Sequence, residues 1–203
     1  MRVARVILLF SGLLIAPGLC LGENIHITFD RPRDGVSSNN TLVVTDYSEA
    51  GMWFRSTPGS PGFVWRGSDS PFWPSDGTPY LHAAAGGPLM FGFDDGALFS
   101  LNGVSLAGYS SANSSITVDF IGHRGDGSTI TESVLVQGFG FRPQVFDSGW
   151  SNLTSVEIAS HMWVIDNLLV TVPEPSGASV VFAALVTSWV ARVIRRKMKY
   201  RLA

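Results

Sequence analysis

The sequence predicts an all-β protein, a two-sheet β-sandwich that is preceded by a signal peptide and followed by a transmembrane helix. Three observations support this prediction. Glycine and proline are frequent, with 22 and 11 residues in the chain of 203. Apolar residues in the central region alternate with polar ones and do not recur at helical spacing. Uncharged apolar stretches lie near both ends, each with basic residues beside it.

The N-terminus is typical of a secretory signal peptide, with a basic start, a short apolar run and a small-residue exit. The apolar run, 6–15, is about half as long as the ~20 residues that span a bilayer. We expect cleavage near Gly22, which makes residues 1–22 the signal peptide and removes the only cysteine. Cleavage at Gly18 and an uncleaved anchor are the alternatives.

Residues 23–172 are the predicted sandwich domain. Ile116, Val118 and Phe120 fall on one face of an alternating stretch, and a turn after it leads into a returning strand over 128–135. This pattern predicts a hairpin. The other predicted strands are 25–29, 42–45, 51–55, 89–93, 104–109, 144–146, 155–159 and 163–172.

One segment, 56–88, departs from the strand pattern. It holds six of the eleven prolines and six glycines, so we predict a long loop. Its large aromatic side chains argue against disorder. They must pack onto the domain as a cover or stand out as a platform on which a sugar could stack. The candidate ligand-binding residues are Trp65, Trp73 and Tyr80.

The central domain is acidic, and it contains no recognisable catalytic motif. Between residues 23 and 172 there are fifteen acidic and six basic residues, and no lysine. Nucleic acid is excluded as a partner because phosphate binding requires clustered Lys and Arg. No Gly-x-Ser-x-Gly or His-x-x-x-His pattern occurs. We therefore expect a binding or structural domain, not an enzyme, with a hydrolase as the less favoured alternative.

Four oxygen-bearing side chains suggest a structural calcium site. They lie at the ends of the first, second and last predicted elements, whose strands could pair and bring them together. The candidate ligands are Asp30, Glu49, Asp166 and Asn167. The alternative is that Asp30 and Asp166 are turn and strand-end residues that bond to the backbone.

The last 32 residues combine a proline motif, an apolar stretch and a basic tail. Residues 173–177 predict a stiff linker. Residues 178–194 predict a transmembrane helix, and 195–203 a tail that the positive-inside rule places in the cytoplasm.

This order of features resembles the PEP-CTERM sorting signal of certain Gram-negative bacteria. The motif residues are Val172, Pro173, Glu174, Pro175 and Ser176, and the basic cluster contains Arg192, Arg195, Arg196 and Lys197. The resemblance implies export, an inner-membrane intermediate, recognition by the membrane protease exosortase, and delivery to the cell surface or extracellular matrix. An ordinary single-pass anchor is the alternative.

The central domain is also similar to ectodomains that are often attached to this sorting signal. The similar segments are 27–30, 47–52, 99–107 and 163–168. Such ectodomains resemble carbohydrate-binding jelly rolls. The resemblance therefore implies a jelly-roll-like sandwich and, as an alternative to a purely structural role, a carbohydrate-binding module that acts on exopolysaccharide.

Overall fold

The structure, a computed structural model, describes residues 22–30, 41–57, 62–66, 72–83 and 87–173. Within these ranges the chain contains thirteen β-strands and no helix, which confirms the all-β prediction. This part of the chain accordingly has no helix with the length and apolar character needed to cross a membrane. The strands are β1 Glu23–Ile27, β2 Thr41–Val44, β3 Asp46–Glu49, β4 Met52–Ser56, β5 Phe63–Arg66, β6 Tyr80–Ala83, β7 Leu89–Phe93, β8 Ser100–Leu106, β9 Ser115–Arg124, β10 Thr129–Gln137, β11 Arg142–Val145, β12 Leu153–Ile158 and β13 Val164–Val172.

The strands form two antiparallel sheets. One sheet has seven strands in the order β11-β8-β13-β6-β5-β2, with β1 also paired to β13. The other has six strands in the order β10-β9-β12-β7-β4-β3. Side chains from both sheets contribute to one buried apolar cluster, so the predicted two-sheet sandwich is confirmed. Both sheets belong to the compact unit Gly22–Pro173.

The central hairpin shows how alternation selects the buried face. In β9, Ile116, Val118 and Phe120 are buried, whereas Ser115 and Thr117 are exposed. Because side chains alternate between the two faces of a strand, a one-residue change of register would expose all three. Burying a large apolar side chain contributes roughly 1.5–3 kcal/mol, so such a change would be costly. The predicted hairpin of β9 and β10 is confirmed.

The first and last strands pair with each other, a pairing that the sequence allowed. Glu23 lies opposite Val172 at one end of the pair, and Ile27 lies opposite Leu168 at the other. On its other edge, β13 pairs with β8. Residues Leu169 to Thr171 of β13 are therefore paired on both sides, and Val172 is paired with β1 alone.

The predicted long loop over 56–88 is wrong in one respect, because it contains strands β5 and β6. Both have only four residues. In β5, Phe63, Val64 and Trp65 are all buried, so the sequence shows no alternation there. Strand β3 was also not predicted. It pairs with β4 through the two-residue turn Ala50–Gly51, where both residues have positive φ, as a type I′ turn requires.

Candidate functional site

Strands β5 and β6 direct polar and aromatic side chains to the outer face of the seven-stranded sheet. In β6, Leu81 belongs to the core cluster, so its neighbours Tyr80 and His82 point to the opposite face. In β5, Trp65 belongs to the core cluster and Arg66 points outward, directly across from Tyr80. The alternation of two short strands thus brings Arg66, Tyr80 and His82 together.

His82 is the buried centre of this face. Its Nδ1–H donates to the carbonyl oxygen of Ala83 at 2.8 Å, and its Nε2 accepts from Nε of Arg66 at 3.0 Å. These partners define a neutral imidazole with its proton on Nδ1. Burial lowers the pKa of His82 to about 4; the hydrogen bond to Ala83 opposes this shift and the Arg66 charge adds to it. The ring is therefore uncharged at neutral pH.

Trp73 stacks on this imidazole. The ring centroids of Trp73 and His82 are 4.7 Å apart, with 21° between the ring planes. The guanidinium carbon of Arg66 lies 4.3 Å from the Trp73 ring centroid. Because Arg66 is hydrogen-bonded to His82, the two groups must lie against the same face of the indole. That face is therefore held by a cation and a stacked ring.

The opposite face of the Trp73 indole is uncovered by any ring or cation in the described ranges. Tyr109 is nearly perpendicular to both Trp73 and His82, at 5.3 and 5.8 Å, so it stands beside the stack. Next to Trp73, Phe72 is 68% exposed, and its carbonyl oxygen accepts from the backbone N–H of Ser111 at 3.1 Å. We call Phe72 and Trp73 the aromatic platform.

Tyr80 lies buried in the same face, and its hydroxyl is unusual. The ring packs edge-on against Phe141, with centroids 5.3 Å apart. The hydroxyl oxygen is buried and has no hydrogen-bond partner within the described ranges. Burial raises the pKa of Tyr80 well above its ordinary value; the Arg66 charge opposes this shift and Asp76 adds to it. A buried hydroxyl without a partner costs roughly 1–3 kcal/mol, so a ligand hydroxyl that reached it would be favoured.

A carboxyl and hydroxyl cluster ties the segment that carries Trp73 to strand β13. Thr78 Oγ1 lies 2.6 Å from Oδ1 of Asp76 and 3.2 Å from Oδ2 of Asp166. Asp166 is fully buried, and its Oδ1 accepts from the backbone N–H of Asn167 at 2.7 Å. Burial raises the pKa of Asp166 to about 8; the Asn167 bond opposes this shift and Asp76 adds to it. Asp166 is therefore mostly protonated at neutral pH.

These two carboxyl groups do not form a hydrolytic pair. A glycosidase needs both carboxyl groups to reach the scissile bond of a bound substrate. Asp76 is exposed, but Asp166 has no accessible surface and is already engaged by Thr78 and Asn167. The arrangement instead suits a structural link between segment 72–79 and the sheet.

The three aromatic residues predicted to bind a ligand have different environments. Trp73 is partly exposed, as a platform requires. Trp65 is buried in the core, and its Nε1 donates to the carbonyl oxygen of Phe29 at 2.7 Å. The prediction is corrected for Trp65, because the alternation of β5 turns it inward. Tyr80 is buried beneath the outer face, and its hydroxyl, which has no partner in the described ranges, is buried with it.

Glu49, one of the four predicted calcium ligands, has protein partners in the structure. Its carboxylate accepts from the backbone N–H of Phe29 at 3.0 Å and from the hydroxyl of Tyr47 at 2.7 Å. Phe29 has a φ of 57°, in the left-handed region that bulky residues avoid. Glu49 and the Trp65 bond to the Phe29 carbonyl together hold this backbone geometry.

The other predicted calcium ligands lie in different surroundings. Asp30 is exposed, and Asp166 with Asn167 belongs to the cluster around Thr78. Among the residues that the structure describes, no group of three or more His, Cys, Asp or Glu side chains is placed to hold a metal ion. The calcium site stays a prediction of the sequence that these side-chain positions do not assemble.

Sequence reasoning missed several members of the site, namely Phe72, Asp76, Thr78, His82 and Tyr109. One signal could have found His82. The stretch Tyr80-Leu81-His82-Ala83 alternates between polar and apolar residues, as a strand with one core-facing side does. The surrounding prolines and glycines concealed that short pattern within an apparent loop.

The sorting motif begins where the described chain ends. Val172 is the last residue of β13, and Pro173 follows it as an exposed residue. Glu174, Pro175 and Ser176 lie outside the described residues. So do the predicted signal peptide, the predicted transmembrane helix and the basic cluster Arg192, Arg195, Arg196 and Lys197.

Comparisons with known proteins add a structural likeness. No protein-family profile matches the chain, and no curated protein matches it. Among solved structures, the chain is similar to the CBM22-1 xylan-binding domain of Xyn10C from Paenibacillus barcinonensis. The TM-score is 0.37 and the sequence identity 8%, over 76% of this chain and 97% of that domain. A likeness this distant carries no argument about what this chain binds.

Proposed function

We propose that residues 23–172 are a non-catalytic carbohydrate-binding domain, which binds a sugar on the aromatic platform of Phe72 and Trp73. The protein that carries it is exported and sorted to the cell surface or extracellular matrix. There the domain holds exopolysaccharide, and no catalytic residue is assigned to it.

One observation carries this proposal: Trp73 is partly exposed, and within the described residues a ring and a cation stack on only one face of its indole. A sugar ring presents apolar C–H groups with partial positive charge, and the face of an aromatic ring is the negative part of its quadrupole. His82 and Arg66 hold the other face of Trp73 and set its orientation before any ligand arrives. A preorganised ring loses little conformational freedom on binding, which favours affinity.

The surroundings of the platform supply polar groups of the kind that orient a sugar. The buried Tyr80 hydroxyl has no partner in the described ranges, and the exposed Asp76 carboxylate is close enough to affect its pKa. Ligand sites typically combine an apolar surface with a few polar groups placed in this way.

Export and sorting are proposed from the two ends of the sequence. The N-terminal pattern supports a signal peptide, and the C-terminal motif, apolar stretch and basic tail support recognition by exosortase at the inner membrane. Pro173 lacks the amide donor that another ladder bond would need, and it directly follows the paired residue Val172. A cut after Pro173 would therefore leave both sheets complete.

The binding proposal is tested with a panel of soluble polysaccharides in affinity electrophoresis. We expect retardation of the wild-type protein by at least one polysaccharide. Trp73→Ala should weaken that binding about tenfold or more, because a central aromatic contact commonly contributes over 1 kcal/mol. Trp53→Ala is the matched control, since Trp53 also has an arginine over its ring but lies on the other sheet. Equal losses in both variants would contradict a site at Trp73.

Sorting is tested by intact-mass analysis of the protein from its native host. We expect a mature N-terminus near Glu23 and a second cut near Val172–Ser176 when exosortase is active. A single envelope species that retains Arg195 and Arg196 would show that the second cut does not occur.

A further inference from the structure

A second feature of the outer face is an open groove of about 530 Å³. It lies on the seven-stranded sheet, over β1, β8, β11 and β13. The residues that matter for its chemistry are His26, Asn102, Val145, Asn167 and Leu169. Asn167 connects it to the site described above, because its side-chain amide donates to Asp166, which also contacts Thr78.

Two side-chain amides in the groove have their donors engaged and their acceptors free. Each one donates an N–H to a neighbouring side chain, and its carbonyl oxygen accepts no bond from any residue that the structure describes. The pairs are Asn102 with Thr171 Oγ1 at 2.6 Å and Asn167 with Asp166 Oδ2 at 3.0 Å. The groove therefore offers hydrogen-bond acceptors to a ligand that is rich in hydroxyl donors.

The charge of the groove narrows the ligand class. None of the residues that line it is Asp, Glu, Lys or Arg, although the domain around it has fifteen acidic and six basic residues. An acidic polymer would be repelled by the domain and find no cation in the groove, and a basic peptide would find no carboxylate there. The exposed side chains of Val145 and Leu169 add apolar surface, which suits the C–H face of a sugar.

We infer that this groove is a second subsite, which binds the continuation of a neutral glycan chain whose other part stacks on the aromatic platform. The inference rests on the proposed function. Three strand spacings separate β6, which carries His82 under Trp73, from β11, which carries Val145, a distance of about 14 Å. A ligand that occupies both subsites must therefore be longer than a disaccharide.

The test measures affinity against ligand length by isothermal titration calorimetry on the full chain in mild detergent. The probes are cello-, xylo- and manno-oligosaccharides from disaccharide to hexasaccharide, with oligogalacturonates as acidic counterparts. For one neutral series, we expect affinity to rise about tenfold from the disaccharide to the hexasaccharide, a gain that a second subsite readily supplies. The oligogalacturonates should bind more weakly at every length.

Val145→Lys should abolish the gain with length and leave the disaccharide affinity unchanged, because a long charged side chain would fill the groove. Val145→Glu should do the same with the opposite charge. Val43→Lys is the matched control, since Val43 is 60% exposed on β2, the other edge strand of the same sheet, against 75% for Val145. An unchanged melting temperature shows that each variant is folded.

The outcomes separate this inference from the proposed function. Affinity that does not depend on ligand length would overturn the second subsite while binding at Trp73 stands. The same holds if both Val145 variants keep the whole increase in affinity from the disaccharide to the hexasaccharide. Tightest binding to oligogalacturonate would overturn the neutral class of ligand. No binding to any oligosaccharide, in the wild type as in Trp73→Ala, would overturn the proposed function and this inference with it.

Discussion

The outer faces of the two sheets carry the same contact in different surroundings. On the seven-stranded sheet, Arg66 lies 4.3 Å from the ring centroid of Trp73. On the six-stranded sheet, Arg55 lies 4.8 Å from that of Trp53. Arg55 lies 4.0 Å from the exposed carboxylate of Asp94. Arg66 instead donates to a buried, neutral histidine, close to a tyrosine hydroxyl that has no partner among the described residues.

This difference shows that a cation over a ring does not by itself identify a site. An exposed ion pair such as Arg55 with Asp94 contributes little, about 0–1 kcal/mol. The groups around Trp73 are desolvated, and burial shifts the pKa of both Arg66 and His82 downward. This outer face buries polar groups, and no ring or cation of the described residues stacks on the second face of the indole, which suits a ligand better than solvent.

The largest contrast should come from the histidines of the two faces. His82→Ala removes the ring beneath Trp73 and leaves Nε of Arg66 without its acceptor, so we expect the free energy of unfolding to fall by about 2–4 kcal/mol. His123→Ala, on the other sheet, removes a half-exposed ring 3.8 Å from Glu157 and should lower it by less than ~1 kcal/mol. Urea unfolding measures both, and similar losses would erase the contrast.

The pH dependence of stability should carry the signature of Asp166. Its folded pKa is about 8, above the ordinary value of about 4, so the folded state keeps a proton that the unfolded state releases. The free energy of unfolding should therefore fall as pH rises towards 8 and level off above it. Asp166→Asn keeps a similar shape, cannot titrate, and should flatten this slope.

The window from about pH 6.5 to 8 isolates this effect. The pKa of His82 is about 4 in the folded state, against an ordinary value of about 6.5. The contribution of His82 to the free energy of unfolding is therefore complete above pH 6.5 and is lost as pH falls from 6.5 to 4. Asp94→Asn, at an exposed position on the other sheet, is the matched control. The measurement is the melting temperature as a function of pH across this window. If it falls equally steeply in the wild type and in Asp166→Asn, Asp166 is not protonated in the folded state.

A smaller contrast is expected between the two arginines. Arg66→Lys loses the Nε–H that binds His82 and the flat guanidinium over Trp73, so we expect a loss of about 1–2 kcal/mol. Arg55→Lys keeps a positive charge at an exposed position and should change the free energy of unfolding by less than ~0.5 kcal/mol. Chemical denaturation of the two variants measures this difference. If Arg66→Lys leaves the free energy of unfolding unchanged, the guanidinium does not stabilise the platform.

The smallest effect should be that of Tyr80→Phe. Removing a buried hydroxyl that has no partner in the described part of the chain should leave stability unchanged or raise it by up to ~1 kcal/mol. Tyr47→Phe is the control, because the Tyr47 hydroxyl donates to Glu49 at 2.7 Å and its removal should lower stability by about 1 kcal/mol. Differential scanning calorimetry compares the two. If Tyr80→Phe were as destabilising as Tyr47→Phe, the Tyr80 hydroxyl would have to be satisfied in the unliganded protein.

Local sequence pattern was enough to predict the fold class and most strands, because long alternating stretches such as β9 and β10 encode their buried face directly. It allowed the pairing of β1 with β13, which the structure contains. The same local reasoning failed for β5 and β6. Strand β5 is buried on both faces, and its apolar run cannot be assigned without knowing what covers it.

Which aromatic residues form the site depends on contacts that become visible in the folded chain. Trp65 and Trp73 look alike in the sequence, but the alternation of β5 turns Trp65 into the core while a stacked histidine supports Trp73 from below. The acidic residues show the same limit, since Glu49 braces the strained backbone at Phe29 and Asp166 joins Thr78. These roles depend on contacts between residues 20 to 88 positions apart, which no local pattern records.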